Sequence, residues 1–476
     1  MNPARRVVKN ASFLIFSGMT SQLLAFVGVV YLAHVLGPEK FGTLNFALAL
    51  TVHFALLTNL GLTRLGTKEL ARHPELIGQY AANITAMRLC MSVIGLLALM
   101  QIVFLLDRPL EVKYLIVLFG AGLLPGAILL DWAFQGTERM EYIALSRILT
   151  ITLYTVCLLV AVKDPSQLLR IPCFQVGANL VTALVLIVLF KRCYPHVSLC
   201  LDFSLWKPLF QNALPLGIAL ILVQMIYYID TVILGFMRTD VEIGYYNAAY
   251  KIIIVCIGTA GNFFESMFPM MSRYYQTDIQ KFIQVQTLNL RIMIAIAIPL
   301  VFGGILLAQQ IIISIFGIDY GGSIFVFKYL IWIPAIAYIN TVYAWGLWAM
   351  DMHVQYMKVV ALQVVVNIVS NILLIPDYGI FGAAIATILS ELIGFPFYFV
   401  LFNRKVQLPM ALGYITKPLL SSFVMGIILY IMIKTFLSNA FLLVLSGGVV
   451  YIGAMLLLNG ITRDELKMFR KMIATG

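Results

Sequence analysis

Arg88, Lys251, Arg291 and Lys328 each interrupt a run of sequence that is otherwise apolar. A cation in that setting can hold an anion: a guanidinium grips phosphate with two parallel N–H donors, whereas an ammonium acts as a point charge. Three acids, Asp230, Glu265 and Glu391, share the setting, and a carboxylate there can take up a proton or an inorganic cation. Each such charge costs about 2.5–3.5 kcal/mol at a bilayer centre on insertion scales, so it needs a partner, a wet cavity or a route to the interface.

The elements that must position these residues follow from composition. Of 476 residues, 62% are hydrophobic and 11% charged, against roughly 25% charged in a soluble domain, which makes this a membrane chain. A hydrocarbon core of about 30 Å takes about 20 apolar residues per helix. Fourteen such runs recur, from residues 11–35 to 440–458, and leave no room for a separate soluble domain. They are continuous rather than alternating over about ten residues, which predicts helices and not barrel strands. Gly37, Pro38, Asp377 and Gly379 mark tight turns. Lys and Arg at alternate breaks number 21 on the side of the N-terminus and 7 on the other. The positive-inside rule then puts both termini of this multi-pass chain in the cytoplasm. The net charge of +11 needs no nucleic acid, because an anionic cytoplasmic leaflet favours that excess; residues 463–471 are the plainest case. The opening MNPARRVVKNASFLIF has the basic flank of a signal sequence but a span-length apolar run, and reads as an uncleaved first helix.

Depth and periodicity sort the charges. At about 1.5 Å per residue from the span ends, Lys251 and Asp230 fall in the outer third, Glu265 and Arg291 in the inner third, and Glu391 nearest the midplane. One reading pairs Lys251 with Asp230 and Arg291 with Glu265, while Arg88 snorkels to the interface. The other starts from the helix that contains the run GYYNAAYKIIIV. Asn247, Lys251, Gly258, Asn262 and Glu265 lie within about 60° of one another on a helix of about 100° per residue, a polar stripe four turns long that implies a wet or substrate-lined face. A shorter stripe of Gln363, Asn367, Ser370 and Asn371 is explained equally well by interhelical hydrogen bonds.

An internal repeat is also visible. GTLNFA at 42–47 and GYYNAA at 244–249 share Gly, Asn and the final Ala at a separation of 202 residues, and Arg88 in the third run meets Arg291 in the ninth at nearly the same separation. Six runs per copy give both copies one orientation, the parallel-repeat plan of transporters whose substrate site lies between the halves. The expected division is a six-helix bundle over residues 1–200, a second over 201–405, and two further helices with a basic tail over 406–476. Two bundles around a cavity with cations at two depths suit an anionic substrate that changes sides.

Other chemistries find little footing. The six cysteines are scattered, with no disulfide or metal framework. Five histidines form no HExxH or other ligand cluster, and no GxxxxGK[ST] loop is present, so no metal or other cofactor and no ATP hydrolysis is expected. A membrane polymerase or lipid-dependent glycosyltransferase would need a sizeable outer loop bearing catalytic residues, and all the outer breaks are short.

Three stretches, HVLGPEKFGTLNFA at 34–47, WAFQGTERMEYIALSRI at 132–148 and NIVSNILLIPDYGIFGAAIATILSE at 367–391, resemble the polysaccharide transporter, or Wzx-type O-antigen flippase, family. Gln135, Gly136, Glu138, Met140 and Tyr142 form its most specific pattern. The resemblance covers most of the chain. It implies the fold of multidrug and toxic-compound extrusion carriers and no enzyme activity. It also implies transfer of an undecaprenyl-diphosphate-linked oligosaccharide from the inner to the outer leaflet, with membrane lipid and polysaccharide assembly proteins as surroundings. Many relatives carry Arg or Lys where this chain has His34, which would make an outer-gate cation pH-dependent. On this reading Arg88 and Arg291 meet the diphosphate inside, Lys251 meets it nearer the exit with Asn247 and Asn262 beside it, and Asp230, Glu265 or Glu391 binds a coupling proton or cation. A lipid II flippase is the nearer alternative. A multidrug or cation antiporter is the further one, because its cavity should be acidic or aromatic.

Overall fold

The computed structural model describes residues 3–409, 412–435 and 439–460, and every regular element among them is helical. The basic segment 463–471 lies outside the described residues. Thirteen helical stretches there are long and apolar enough to cross a membrane. The first, Phe16–Arg72, has 57 residues, about 86 Å of helix at 1.5 Å per residue and therefore enough for two crossings of a core of about 30 Å. It ends its first arm at Gly37, where φ is 68° and ψ 173°, a backbone state that favours glycine, and breaks again at Leu60 and Gly61 before the short helix Leu62–Arg72. After Gly37, Pro38 fixes the direction of the next segment. Counting the two arms separately recovers the fourteen expected runs, and the chain is a multi-pass membrane protein.

The chain forms two compact units, Met1–Val232 and Ile233–Gly476. The division falls inside the helix Trp206–Met237. In the first unit a core of Leu65, Leu70, Ile84, Trp132, Phe134 and Phe190 joins the helices around the turn at 135–142. That turn is a clasp. Glu138 has φ 58°, Tyr142 packs on Phe134 at 4.7 Å between ring centroids, and the Tyr194 hydroxyl donates to Thr137 Oγ1 at 3.0 Å. The QGTERMEY pattern thus fastens one helical hairpin to the end of the helix Arg170–Cys193. In the second unit Phe264, Phe282, Tyr338, Tyr343 and Phe402 centre the core. The helices Gly413–Thr435 and Ala440–Leu457 pack in a separate cluster, Met425, Leu429 and Leu443 against Leu307.

Several expected runs are broken helices. The run at 114–134 is three pieces, Leu110–Ala121, Leu123–Ala127 and Asp131–Gly136, with Gly122, Pro125 and Gly126 at the interruptions. The run at 324–350 is Ser323–Leu330 followed by Trp332–Ala349. Carbonyls freed by a break inside a membrane need donors from the protein. In the first unit they come from the neighbouring helix Ile77–Leu105: Ser92 Oγ donates to Leu123 O at 3.2 Å, Arg88 Nη2 to Gly126 O at 2.7 Å and Arg88 Nη1 to Leu129 O at 3.1 Å. Arg88 is buried and holds the break closed, rather than snorkelling outward.

Replacing Arg88 with Ala leaves two carbonyls without charged donors and is expected to lower stability on the order of 3 kcal/mol, read as a lower melting temperature of the purified protein in detergent. Arg88→Lys should recover only part of the loss, because one ammonium cannot reproduce the fork; full recovery would contradict the clamp.

Candidate transport site

The helix Asp240–Thr277 carries the predicted polar stripe. A capping box starts it: Thr239 Oγ1 accepts from the Glu242 backbone N–H at 3.4 Å, and Glu242 Oε2 accepts from the Thr239 N–H at 3.3 Å, so Thr239 and Glu242 fix where the first turn begins. The stripe is open over only part of its length. Asn247 is buried, and its Nδ2 donates to Ile243 O at 3.0 Å within the same helix. Asn247 therefore belongs to the packed part of the helix, contrary to its expected place on the lining. From Lys251 onward the stripe opens: Lys251 and Gly258 are half-buried, and Asn262 and Glu265 are exposed. Lys251, Asn262 and Glu265 have no hydrogen-bond or ion-pair partner among the described residues. From Lys251 to Glu265 the helix rises about 21 Å, most of the thickness of a hydrocarbon core.

The remaining ionisable groups are answered by protein. The Arg291 guanidinium lies 4.5 Å from the centroid of the Tyr414 ring on the helix Gly413–Thr435, a cation–π contact that ties the last two helices to the unit. Glu265, having no ion pair, is not the group that holds Arg291. Asp230 is buried at 1% exposure on the helix Trp206–Met237 and lies in the first unit, whereas Lys251 lies in the second.

Glu391 sits in a network that sequence reading missed. Asn340 Nδ2 donates to both Glu391 Oε2, at 2.8 Å, and the Glu391 backbone carbonyl, at 2.9 Å. Gln363 Nε2 donates to the same Oε2 at 3.4 Å, and the Tyr398 hydroxyl donates to Gln363 Oε1 at 2.9 Å. Three helices, Trp332–Ala349, His353–Tyr378 and Ile380–Asn403, thus converge on one carboxyl. Buried Asn340 keeps its Oδ1 without a donor, so a polar acceptor stands beside a carboxyl that, among the described residues, is held by neutral amides. Gln363 was visible as part of the shorter stripe; Asn340 stood alone in its run, with no sequence signal of its target.

An apolar groove of about 490 Å³ lies in the second unit, lined among others by Pro299, Gly303, Phe327, Met425, Gly447 and Gly448. Glycines widen it: a Cβ at Gly448 would meet nothing within 4 Å. Tyr451 also lines it, and its hydroxyl is satisfied by Ala295 O at 2.6 Å. The groove therefore offers hydrocarbon-like contact and nothing that would hold a sugar or phosphate. In the first unit, His34 is exposed and its ring Nδ1 lies 2.9 Å from Val30 O in its own helix. Lys40 pairs with Glu111.

Comparison with known proteins bears on this geometry. A family model described as polysaccharide biosynthesis protein matches residues 7–275. The chain is 23% identical over 394 residues to a putative O-antigen transporter of Escherichia coli, covering 80% of this chain and 93% of that protein. It is 30% identical over 173 residues to the probable flippase AglR of Haloferax volcanii, a match spanning 35% of this chain and 36% of that one. Among solved structures, the lipid II flippase MurJ in an inward-closed conformation superimposes with a TM-score of 0.76 at 15% identity, covering 94% of this chain and 98% of that one. At that identity the likeness is one of fold.

The Glu391 network makes a packing prediction. A Cβ at Gly394 would fall 2.4 Å from Gln363 Nε2 and 2.7 Å from its Cδ. Gly394→Ala should therefore destabilise the protein on the order of 1–3 kcal/mol, whereas Gly448→Ala, into open space, should leave the melting temperature in detergent unchanged or slightly raised. Equal melting temperatures for the two variants would show that Gln363 is not held where the network needs it.

Proposed function

Because the chain belongs to the polysaccharide biosynthesis protein family, whose members include membrane transporters and not enzymes, we propose that it carries an undecaprenyl-diphosphate-linked oligosaccharide from the cytoplasmic to the outer leaflet. Both termini would then be cytoplasmic. The observation that carries this reading is Lys251: a membrane-embedded cation on an open polar stripe with no hydrogen-bond or ion-pair partner among the described residues. An ammonium so placed is stabilised by an anion that arrives and leaves. Asn262 on the same stripe supplies amide donors and an acceptor suited to sugar hydroxyls.

The substrate has two solvents, and the second unit offers surfaces for both. Diphosphate and sugars cannot cross hydrocarbon, whereas the prenyl tail need not leave it. The glycine-widened groove supports a seat for the tail; the Lys251 stripe supports a path for the headgroup. In this conformation Arg88 serves as a positioning residue, because its fork is engaged by carbonyls. Arg291, stacked on Tyr414, remains the candidate for meeting the diphosphate from the inner side. Rocking of the two halves would alternate access. Of the three acids, Glu391 is the favoured site of a coupling proton or cation, since it is membrane-embedded and held only by amides; Asp230 and Glu265 are the alternatives.

The test replaces Lys251 with Gln and scores surface polysaccharide in a flippase-deficient strain at matched protein levels. Output should fall at least about tenfold, the effect of losing one charge-assisted contact. It should not return when Asp230→Asn is added, whereas recovery in the double variant would mark a structural ion pair instead. Arg291→Ala should reduce output and Arg291→Lys restore part of it; full activity of the Ala variant would remove Arg291 from the path. Filling the groove with Gly448→Phe should lower output without lowering the melting temperature, and unchanged output would end its role as tail seat.

A further inference from the structure

A second groove, separate from the stripe and the apolar groove, lies between the beginning of the helix His353–Tyr378 and the end of Ile380–Asn403. Its volume is about 550 Å³, and Gln355, Lys358, Leu362, Phe397, Val400 and Arg404 are among the residues that line it. The two helices form a hairpin folded at Gly379, which brings Lys358 and Arg404 to the same end. Lys358 stands about 7.5 Å into its helix at 1.5 Å per residue, and Arg404 is the first residue past the other helix. Both helices are apolar enough and long enough to cross a membrane, so this end lies at the boundary between hydrocarbon and headgroups.

The lining has two chemistries arranged by depth. At the boundary are two cations, both exposed, and neither side chain has a hydrogen-bond or ion-pair partner among the described residues. No acidic residue lines the groove. Deeper along the same helices come Leu362, Phe397 and Val400, with Phe397 46% and Val400 47% exposed, as expected of side chains that face acyl chains. A lone boundary lysine needs only bulk headgroups to satisfy it. Here a fork and a point charge converge over a concave apolar face, which matches a phosphate with acyl chains attached rather than a free ion.

We propose that this groove binds one anionic phospholipid, its phosphate between Lys358 and Arg404 and its acyl chains along Leu362, Phe397 and Val400. The charge excess of the chain puts this end in the cytoplasmic leaflet, where anionic lipid is attracted by juxtamembrane cations. The proposal does not depend on what the protein transports.

The test uses the purified full chain in detergent micelles, supplied with phosphatidylglycerol or phosphatidylcholine, and native mass spectrometry to count retained lipids. The wild type should retain one more phosphatidylglycerol than the K358Q/R404Q variant and prefer it over phosphatidylcholine by on the order of tenfold, with the preference falling as salt rises. Equal retention of the two lipids, or unchanged retention by the variant, would overturn it. A photoactivatable phosphatidylglycerol on the wild-type protein gives a reading independent of the variant's folding: labelled peptides should contain 358–362 and 397–404, and labelling elsewhere only would refute the site. Displacement of the label by undecaprenyl phosphate at lower concentration than by phosphatidylglycerol would assign the groove to a prenyl-phosphate instead. Displacement by inorganic phosphate alone would refute the lipid assignment.

Discussion

Hydrocarbon offers no partner to a charge or to an open backbone carbonyl, and the placement of Arg88, Arg291 and the amides around Glu391 follows from that. Where the helix after Leu110 breaks, its carbonyls are met by Ser92 and by both arms of Arg88. Arg291 is met by the face of Tyr414. The carboxyl of Glu391 is met by the amides of Asn340 and Gln363. Lys251, by contrast, has no hydrogen-bond or ion-pair partner among the described residues, and the proposed function rests on that contrast.

The same constraint explains why the second unit holds two unlike surfaces. On the proposed function, the polar stripe would lower the cost of moving a headgroup through the membrane, and the largely apolar groove would keep a lipid tail in its own solvent. Neither surface alone would suit a molecule that is charged at one end and oily at the other. The last two helices wall the groove through Met425, Gly447 and Gly448, and the first of them supplies the Tyr414 ring against which Arg291 stacks.

Much of the fold was legible because apolar length is a property of consecutive residues. The fourteen runs, the turn at Gly37-Pro38 and the helical class needed no knowledge of what touches what. The stripe on Asp240–Thr277 was legible by period from Lys251 to Glu265, but not at Asn247, because period does not say how far along a helix the packing extends. The network around Glu391 was hidden because Asn340 and Gln363 come from separate helices, and a lone amide gives no sign of its target. Arg88 and Arg291 look alike in the repeat and differ in use. Glycines and a proline near 122–126 announce a broken helix, yet nothing in one dimension says which neighbour will close it.

Binding of a prenyl diphosphate to the purified protein, compared between wild type and Lys251→Gln, bears most directly on the central claim, since it reads the contact without requiring a complete transport cycle. The account predicts at least about tenfold weaker binding in the variant, with a smaller difference for the prenyl alcohol, which lacks the diphosphate. Equal affinity of the two proteins for the diphosphate would contradict it.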